Sequence, residues 1–126
     1  MIVDDEENIL YFVSEILKKG GLEVITVSSG EDAIRMLKTD KPDLILLNVM
    51  MPGKDGFETC KEIKVNKEND SIIISMLTAK SSDEDRLRSL EECKADWHIT
   101  KPIERKKLLD IVNWLLRSSP RLAAME

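Results

Sequence analysis

Residues 42–58 read PDLILLNVMMPGKDGFE. The run Leu44–Leu47 offers apolar side chains to both faces of any strand it forms. That pattern belongs to a strand of a parallel sheet covered by helices on both sides, since an antiparallel strand with one wet face would alternate. Asn48 ends the run. Pro52 and Gly53 then supply a turn, and Gly56 leads into a helical pattern carried by Phe57, Cys60 and Ile63. Asn48 is thus either an ordinary loop residue or the centre of a site at the carboxyl end of a strand.

Outward from this stretch, short β-rich runs alternate with helical ones. Further strands are expected at Ile2–Val3, Val24–Val27, Ile72–Leu77 and Trp97–Ile99. Ile9, Leu10, Val13, Ile16 and Leu17 follow a 3.6-residue spacing, and Gly20 and Gly21 supply a stop. A second helix is expected from Ser29–Gly30 through Ala33, Ile34 and Leu37, a fourth around Leu87 and Leu90, and a last from Leu108 to Leu116. Five βα units of this kind make a doubly wound α/β fold on a five-stranded parallel sheet with right-handed crossovers. The first strand has only MIV before the acidic pair, short against the usual five or six residues, so either the strand is short or residues precede it. Residues 1–117 are expected to form the domain, and 118–126 (SSPRLAAME begins at Ser118) a tail or the start of a linker.

The 126 residues suit one domain, and the 42% apolar and 34% charged content is that of a soluble globular chain. Net charge is −5 with the basic residues dispersed among acids, so direct nucleic-acid binding is not expected. No apolar run reaches the roughly 18 residues of a membrane span, and MIVDDEEN lacks the features of a signal peptide, so a cytoplasmic location without membrane contact is expected. Cys60 and Cys93 lack metal-ligand or CxxC spacing and read as reduced, structural thiols.

In an open parallel α/β sheet, ligands bind beyond the carboxyl ends of the strands. Those ends carry Asp4 and Asp5, Asn48, Thr78 and Ala79, and Thr100, Lys101 and Pro102. Glu6 and Glu7 are assigned to a helix N-terminus, where carboxylates complement the helix dipole. Asp4 and Asp5 are hard oxygen donors of the kind Mg²⁺ prefers. A hydroxyl from Thr78 and an ammonium from Lys101 facing them are suited to hold the oxygens of a phosphoryl group. Pro102 raises the question of a cis peptide that would aim Lys101.

VDDEE, PDLILLNVMMPGKDGFE, MLTAK and ITKP occur in order, with 30 residues from Asn48 to Thr78 and 23 from Thr78 to Lys101. Together they resemble the CheY-like receiver domain of two-component response regulators, over residues 1 to about 117. The resemblance implies the flavodoxin/CheY-like sheet order 2-1-3-4-5. It implies a phosphorelay switch, a signalling module rather than a metabolic enzyme, whose strand-3 aspartate takes a phosphoryl group from a histidine kinase or phosphotransfer protein with Mg²⁺ bound. Carried over by motif, Asp4 and Asp5 are the acidic pair, with Asp5 the more direct metal ligand. Met50 offers a backbone carbonyl to the metal, Thr78 is the switch hydroxyl and Lys101 the lysine of the site. Position 48 is the phosphoacceptor and would itself face the metal. Homodimerisation through the fourth helix, fifth strand and fifth helix is a further implication.

Asn48 departs from the pattern. An amide is a poor nucleophile and cannot form the acyl phosphate, so phosphotransfer is not expected there, and Mg²⁺ binding should weaken. Loss of one carboxylate also relieves repulsion worth roughly 1–4 kcal/mol at 4 Å in water-like to surface-like dielectric. The change is either natural or an Asp→Asn substitution, and the intact remainder of the site favours a recent one. His98 stands where the family usually has Tyr or Phe, either as a weak switch or pH sensor or as a half-exposed histidine without special role. Trp97 beside it reads as packing or as an interaction anchor.

Two other classes fit less well. A flavodoxin-like cofactor binder needs a phosphate-cradling loop after strand 1, where this chain has DDEEN. An aspartyl-nucleophile phosphohydrolase needs a second acid two residues beyond the first, and here Asp4 and Asp5 are adjacent. A phosphorylation-independent interaction module on the same fold remains open.

Overall fold

The computed structural model describes residues 1–79 and 91–118. Five parallel strands, β1 (Ile2–Val3), β2 (Thr26–Val27), β3 (Leu44–Asn48), β4 (Ile73–Thr78) and β5 (Trp97–Thr100), lie in the order β2-β1-β3-β4-β5. Among the described residues the helices are α1 (Glu7–Lys19), α2 (Gly30–Met36), α3 (Gly56–Val65) and α4 (Arg105–Arg117), with a 3₁₀ turn at Lys67–Asn69. The helix expected around Leu87 and Leu90, and the tail from residue 119, lie outside the described residues.

The run that decided the fold also divides the core. Ile45 and Leu47 face one side with Val3, Ala33, Phe57, Cys60 and Ile63, beneath α2 and α3. Leu44 and Leu46 face the other with Val13, Ile16, Leu108 and Val112, beneath α1 and α4. The alternation of strand side chains makes this division unavoidable once both faces are covered. All five residues of β3 are buried.

β2 is shorter than the expected Val24–Val27. β1 places Ile2 and Val3 in register with Thr26 and Val27, and the bonds Ile2 N to Ile25 O at 2.8 Å and Asp4 N to Val27 O at 3.1 Å flank this short ladder. β4 and β5 instead run one residue further than expected, to Thr78 and Thr100, which pair with each other.

The helix starts follow local chemistry. The Ser29 hydroxyl caps α2 by accepting from Asp32 N at 3.1 Å, and the Asp55 carboxylate caps α3 by accepting from Glu58 N at 2.9 Å. In α1, Glu7 lies in the first turn and Lys18 and Lys19 in the last, matching the helix dipole. Gly53 holds φ +72°, a left-handed turn conformation that suits glycine. Gly56 is required for a different reason: a Cβ there would sit 2.2 Å from the Asn48 carbonyl oxygen. α3 can therefore start directly against the end of β3.

Candidate functional site

The carboxyl ends of β1, β3, β4 and β5 bring together five of the expected side chains. Asp4 and Asp5 follow β1, Asn48 ends β3, Thr78 ends β4 and Lys101 follows β5. Asp4 has no exposed surface, Asn48 and Thr78 are buried, and Asp5 is exposed.

Asn48 is the hub. Its Nδ2 donates to Met50 O at 2.9 Å and lies 3.3 Å from Asp4 Oδ1 and 3.4 Å from Asp5 Oδ1. Its Oδ1 accepts from Lys101 Nζ at 2.9 Å. The partners dictate this orientation of the amide, because an ammonium can only donate, and a carbonyl or carboxylate oxygen can only accept. The amide nitrogen thus occupies the space between the three oxygens, and the amide oxygen faces the cation.

Lys101 also approaches Asp4 Oδ2 at 3.6 Å, with most of its side chain covered. Asp4 Oδ1 accepts from Glu6 N at 2.9 Å, a local turn contact of the kind Asp makes just before a helix. Oδ2 has no hydrogen-bond donor. Burial raises the Asp4 carboxyl above its ordinary range. The Glu6 N–H and Lys101 oppose this, while the Asp5 and Glu6 carboxylates add to it. Glu6 is the N-cap residue of α1 and Glu7 lies in its first turn, as expected for these two acids.

Thr78 Oγ1 is buried without a hydrogen-bond partner. A buried hydroxyl left unsatisfied is costly. The Lys101–Pro102 peptide is cis, and Lys101 N donates to Thr78 O at 2.7 Å, so β4 and the lysine are tied through the backbone as well.

The expected oxygen donors are close together, but Asn48 presents nitrogen to them rather than oxygen. Among the described residues, no three acidic, histidine or cysteine side chains gather at one point. His98 is half-buried on β5, stacked on Trp97 with ring centroids 6.0 Å apart. Trp97 is 39% exposed and meets Trp114 of α4 edge-on at 5.0 Å. Two backbone groups shape the site in ways the sequence does not signal directly. Gly56 permits the close approach of α3 to Asn48, and its only signal was its place after the turn. The Glu6 amide that fixes Asp4 had none beyond the Asp-before-helix pattern.

A sheet of this order, with an acidic pair, a strand-end amide, a hydroxyl and a lysine at one edge, defines the CheY-like class of α/β signalling domains. The chain belongs to the response regulator receiver domain family, whose model matches residues 1–113. It is 41% identical over 119 residues to the alkaline phosphatase synthesis transcriptional regulatory protein PhoP of Bacillus subtilis (strain 168), covering 94% of this chain and 48% of that protein. The chain therefore spans about half the length of this curated relative. Among solved structures it resembles the signal receiver domain of a signal transduction histidine kinase from Syntrophus aciditrophicus, with 36% identity, a TM-score of 0.86, and coverage of 95% of this chain and 90% of that one. It also resembles the response regulator DrrB, a Thermotoga maritima OmpR/PhoB homolog, with 34% identity, a TM-score of 0.81, and coverage of 93% and 51%. It is thus a receiver domain of the two-component response regulators, a signalling module. Among the described residues, no helix is long and apolar enough to cross a membrane.

Proposed function

We propose that this receiver domain signals without phosphoryl transfer to position 48, in a state held by the Asn48–Lys101 hydrogen bond. The observation that carries the reading is the double role of the Asn48 amide. Its oxygen engages the lysine, at 2.9 Å, and its nitrogen sits among the oxygens of Asp4, Asp5 and Met50. A carboxylate would act as nucleophile toward a phosphohistidine; an amide has neither the charge nor the available lone pair to do so. Thr78 and Lys101 keep the placement suited to binding anionic oxygens.

The donor set fits Mg²⁺. Two carboxylates and a backbone carbonyl are hard oxygen ligands, and Asp4 Oδ2 is buried without a donor. Asp5, Asp4 and the Met50 carbonyl would hold the ion, which when bound would neutralise charge on a phosphoryl group. The Asn48 nitrogen already lies among Asp4 Oδ1, Asp5 Oδ1 and the Met50 carbonyl and must turn away first, so affinity is weaker than with a carboxylate at position 48. As a metal ligand, Asn48 would need its amide reversed, at the expense of the lysine contact.

Residues 1–117 form the receiver unit in this reading and 118–126 a tail or linker. Partners are a histidine kinase or phosphotransfer protein in the cytoplasm, with direct nucleic-acid contact left to any domain beyond this one. A homodimer would use the expected fourth helix, which lies outside the described residues, together with β5 and the last helix, α4, where Trp97 and Trp114 are partly exposed.

The test compares the chain with Asn48→Asp under acetyl phosphate and Mg²⁺. Intact mass should show an acid-labile, hydroxylamine-sensitive phosphoryl adduct on the variant alone. Equal labelling of the unaltered chain would refute the reading.

A further inference from the structure

The chain has two cysteines, one on α3 and one four residues ahead of β5. The fold brings them together across 33 residues, the Cys60 thiol donating to the Cys93 carbonyl at 3.3 Å. Each thiol lies near enough to the other to shift its titration. Both are buried in the core on the α3 side of the sheet, and no disulfide joins them. Close by, Lys64 of α3 pairs with Asp96 at 2.8 Å, and the same Asp96 oxygen accepts from Ile74 N at 2.8 Å. α3 and the entry to β5 are therefore already held in register at the point where the sulfurs meet.

Two small apolar residues would fill this space equally well. What packing alone does not require is that the two cysteines of the chain meet, with the Cys60 sulfur 3.3 Å from the Cys93 carbonyl across 33 residues. The Cys60 thiol is pushed far up, first by its hydrogen bond to Cys93 and then by burial. The Cys93 thiol is drawn below its ordinary range by the hydrogen bond from Cys60 and by the amides of Ala95 and Cys93 itself, against the effect of burial.

We propose that Cys60 and Cys93 are a redox-modification site, closing to an intramolecular disulfide under hydrogen peroxide and locking α3 to the segment that enters β5. The Cys93 thiolate attacks one peroxide oxygen, the O–O bond breaks, and hydroxide leaves, giving the sulfenic acid. The Cys60 sulfur then forms the S–S bond and displaces the sulfenic oxygen, which leaves as water with the Cys60 proton. Two thiols lose two electrons and one peroxide gains them. Closure brings the sulfurs to about 2.05 Å. The oxidant is little larger than water, so local opening suffices to admit it. α3 starts against Asn48 and β5 leads to Lys101, so the cross-link would fix two elements that carry the site.

The experiment exposes the folded chain to hydrogen peroxide, unfolds it in N-ethylmaleimide, and measures intact mass. A loss of about 2 Da with no maleimide added, reversed by dithiothreitol, is expected. Disulfide closure should also raise the melting temperature by several degrees. Cys60→Ala should leave a sulfenic acid at Cys93 that dimedone traps, and Cys93→Ala should leave Cys60 unmodified. The proposal is overturned if the folded chain still takes two maleimides after peroxide, or if the only disulfides formed join separate molecules. Because the unaltered chain decides the matter, a variant that fails to fold does not blunt the test.

Discussion

Lys101 Nζ donates to Asn48 Oδ1 at 2.9 Å while lying 3.6 Å from Asp4 Oδ2, so one ammonium joins the ends of β1, β3 and β5. This contact links residues 53 positions apart and fixes which way the amide turns.

Replacing the lysine should therefore loosen the whole edge. Lys101→Met removes the hydrogen bond to Asn48 and leaves the buried Asp4 carboxylate without its cation, a loss of about 1–3 kcal/mol. Urea unfolding should show a lower midpoint with an unchanged slope. An unaltered midpoint would mean that the lysine contributes nothing to the resting fold.

Asn48→Asp places a third carboxylate beside Asp4 and Asp5. Without divalent cation this should cost roughly 1 kcal/mol, since the added repulsion is partly offset by a stronger contact with Lys101. Mg²⁺ should then raise the melting temperature of the variant more than that of the unaltered chain, because binding to the folded state alone stabilises it. Thermal scans with and without Mg²⁺ check both statements.

Asp4 sets a pH dependence. Its carboxyl titrates above the ordinary value, chiefly through burial, so the folded state binds this proton more tightly than the unfolded state does. Its contribution to stability is fully present below the unfolded value of 3.8 and is lost as pH rises through the folded value. Asp4→Asn should consequently stabilise the chain at neutral pH, with the advantage shrinking as pH falls toward 4. Melting temperatures across that range in the presence of EDTA measure it; a constant difference at all pH values would contradict the assignment.

Gly56→Ala tests the contact between α3 and β3. The new methyl would meet the Asn48 carbonyl oxygen at 2.2 Å and Val49 Cα at 2.8 Å, both backbone atoms that cannot rotate aside. A destabilisation of about 3 kcal/mol is expected, along with a shifted Asn48 side-chain amide resonance. A silent substitution would show that α3 can slide without disturbing the site.

Much of this was legible before any coordinates. The Leu44–Leu47 run gave a strand buried on both faces because strand periodicity is local, and the strand ends then placed Asp4, Asp5, Asn48, Thr78 and Lys101 on one edge. Less legible were the limits of β2, which depend on its register against β1. The orientation of the Asn48 amide was also hidden, since it depends on an ammonium delivered by another strand.

The sequence by itself determined the layered α/β architecture, the family, and the absence of a carboxylate at position 48, because hydrophobic period and residue identity are properties of the chain. Only the tertiary structure decided that the Asn48 nitrogen fills the space among Asp4, Asp5 and Met50, that Gly56 must lack a side chain, and that Cys60 meets Cys93. These are contacts between segments distant in sequence, fixed by the packing of helices on the sheet and by which donors and acceptors that packing leaves facing one another.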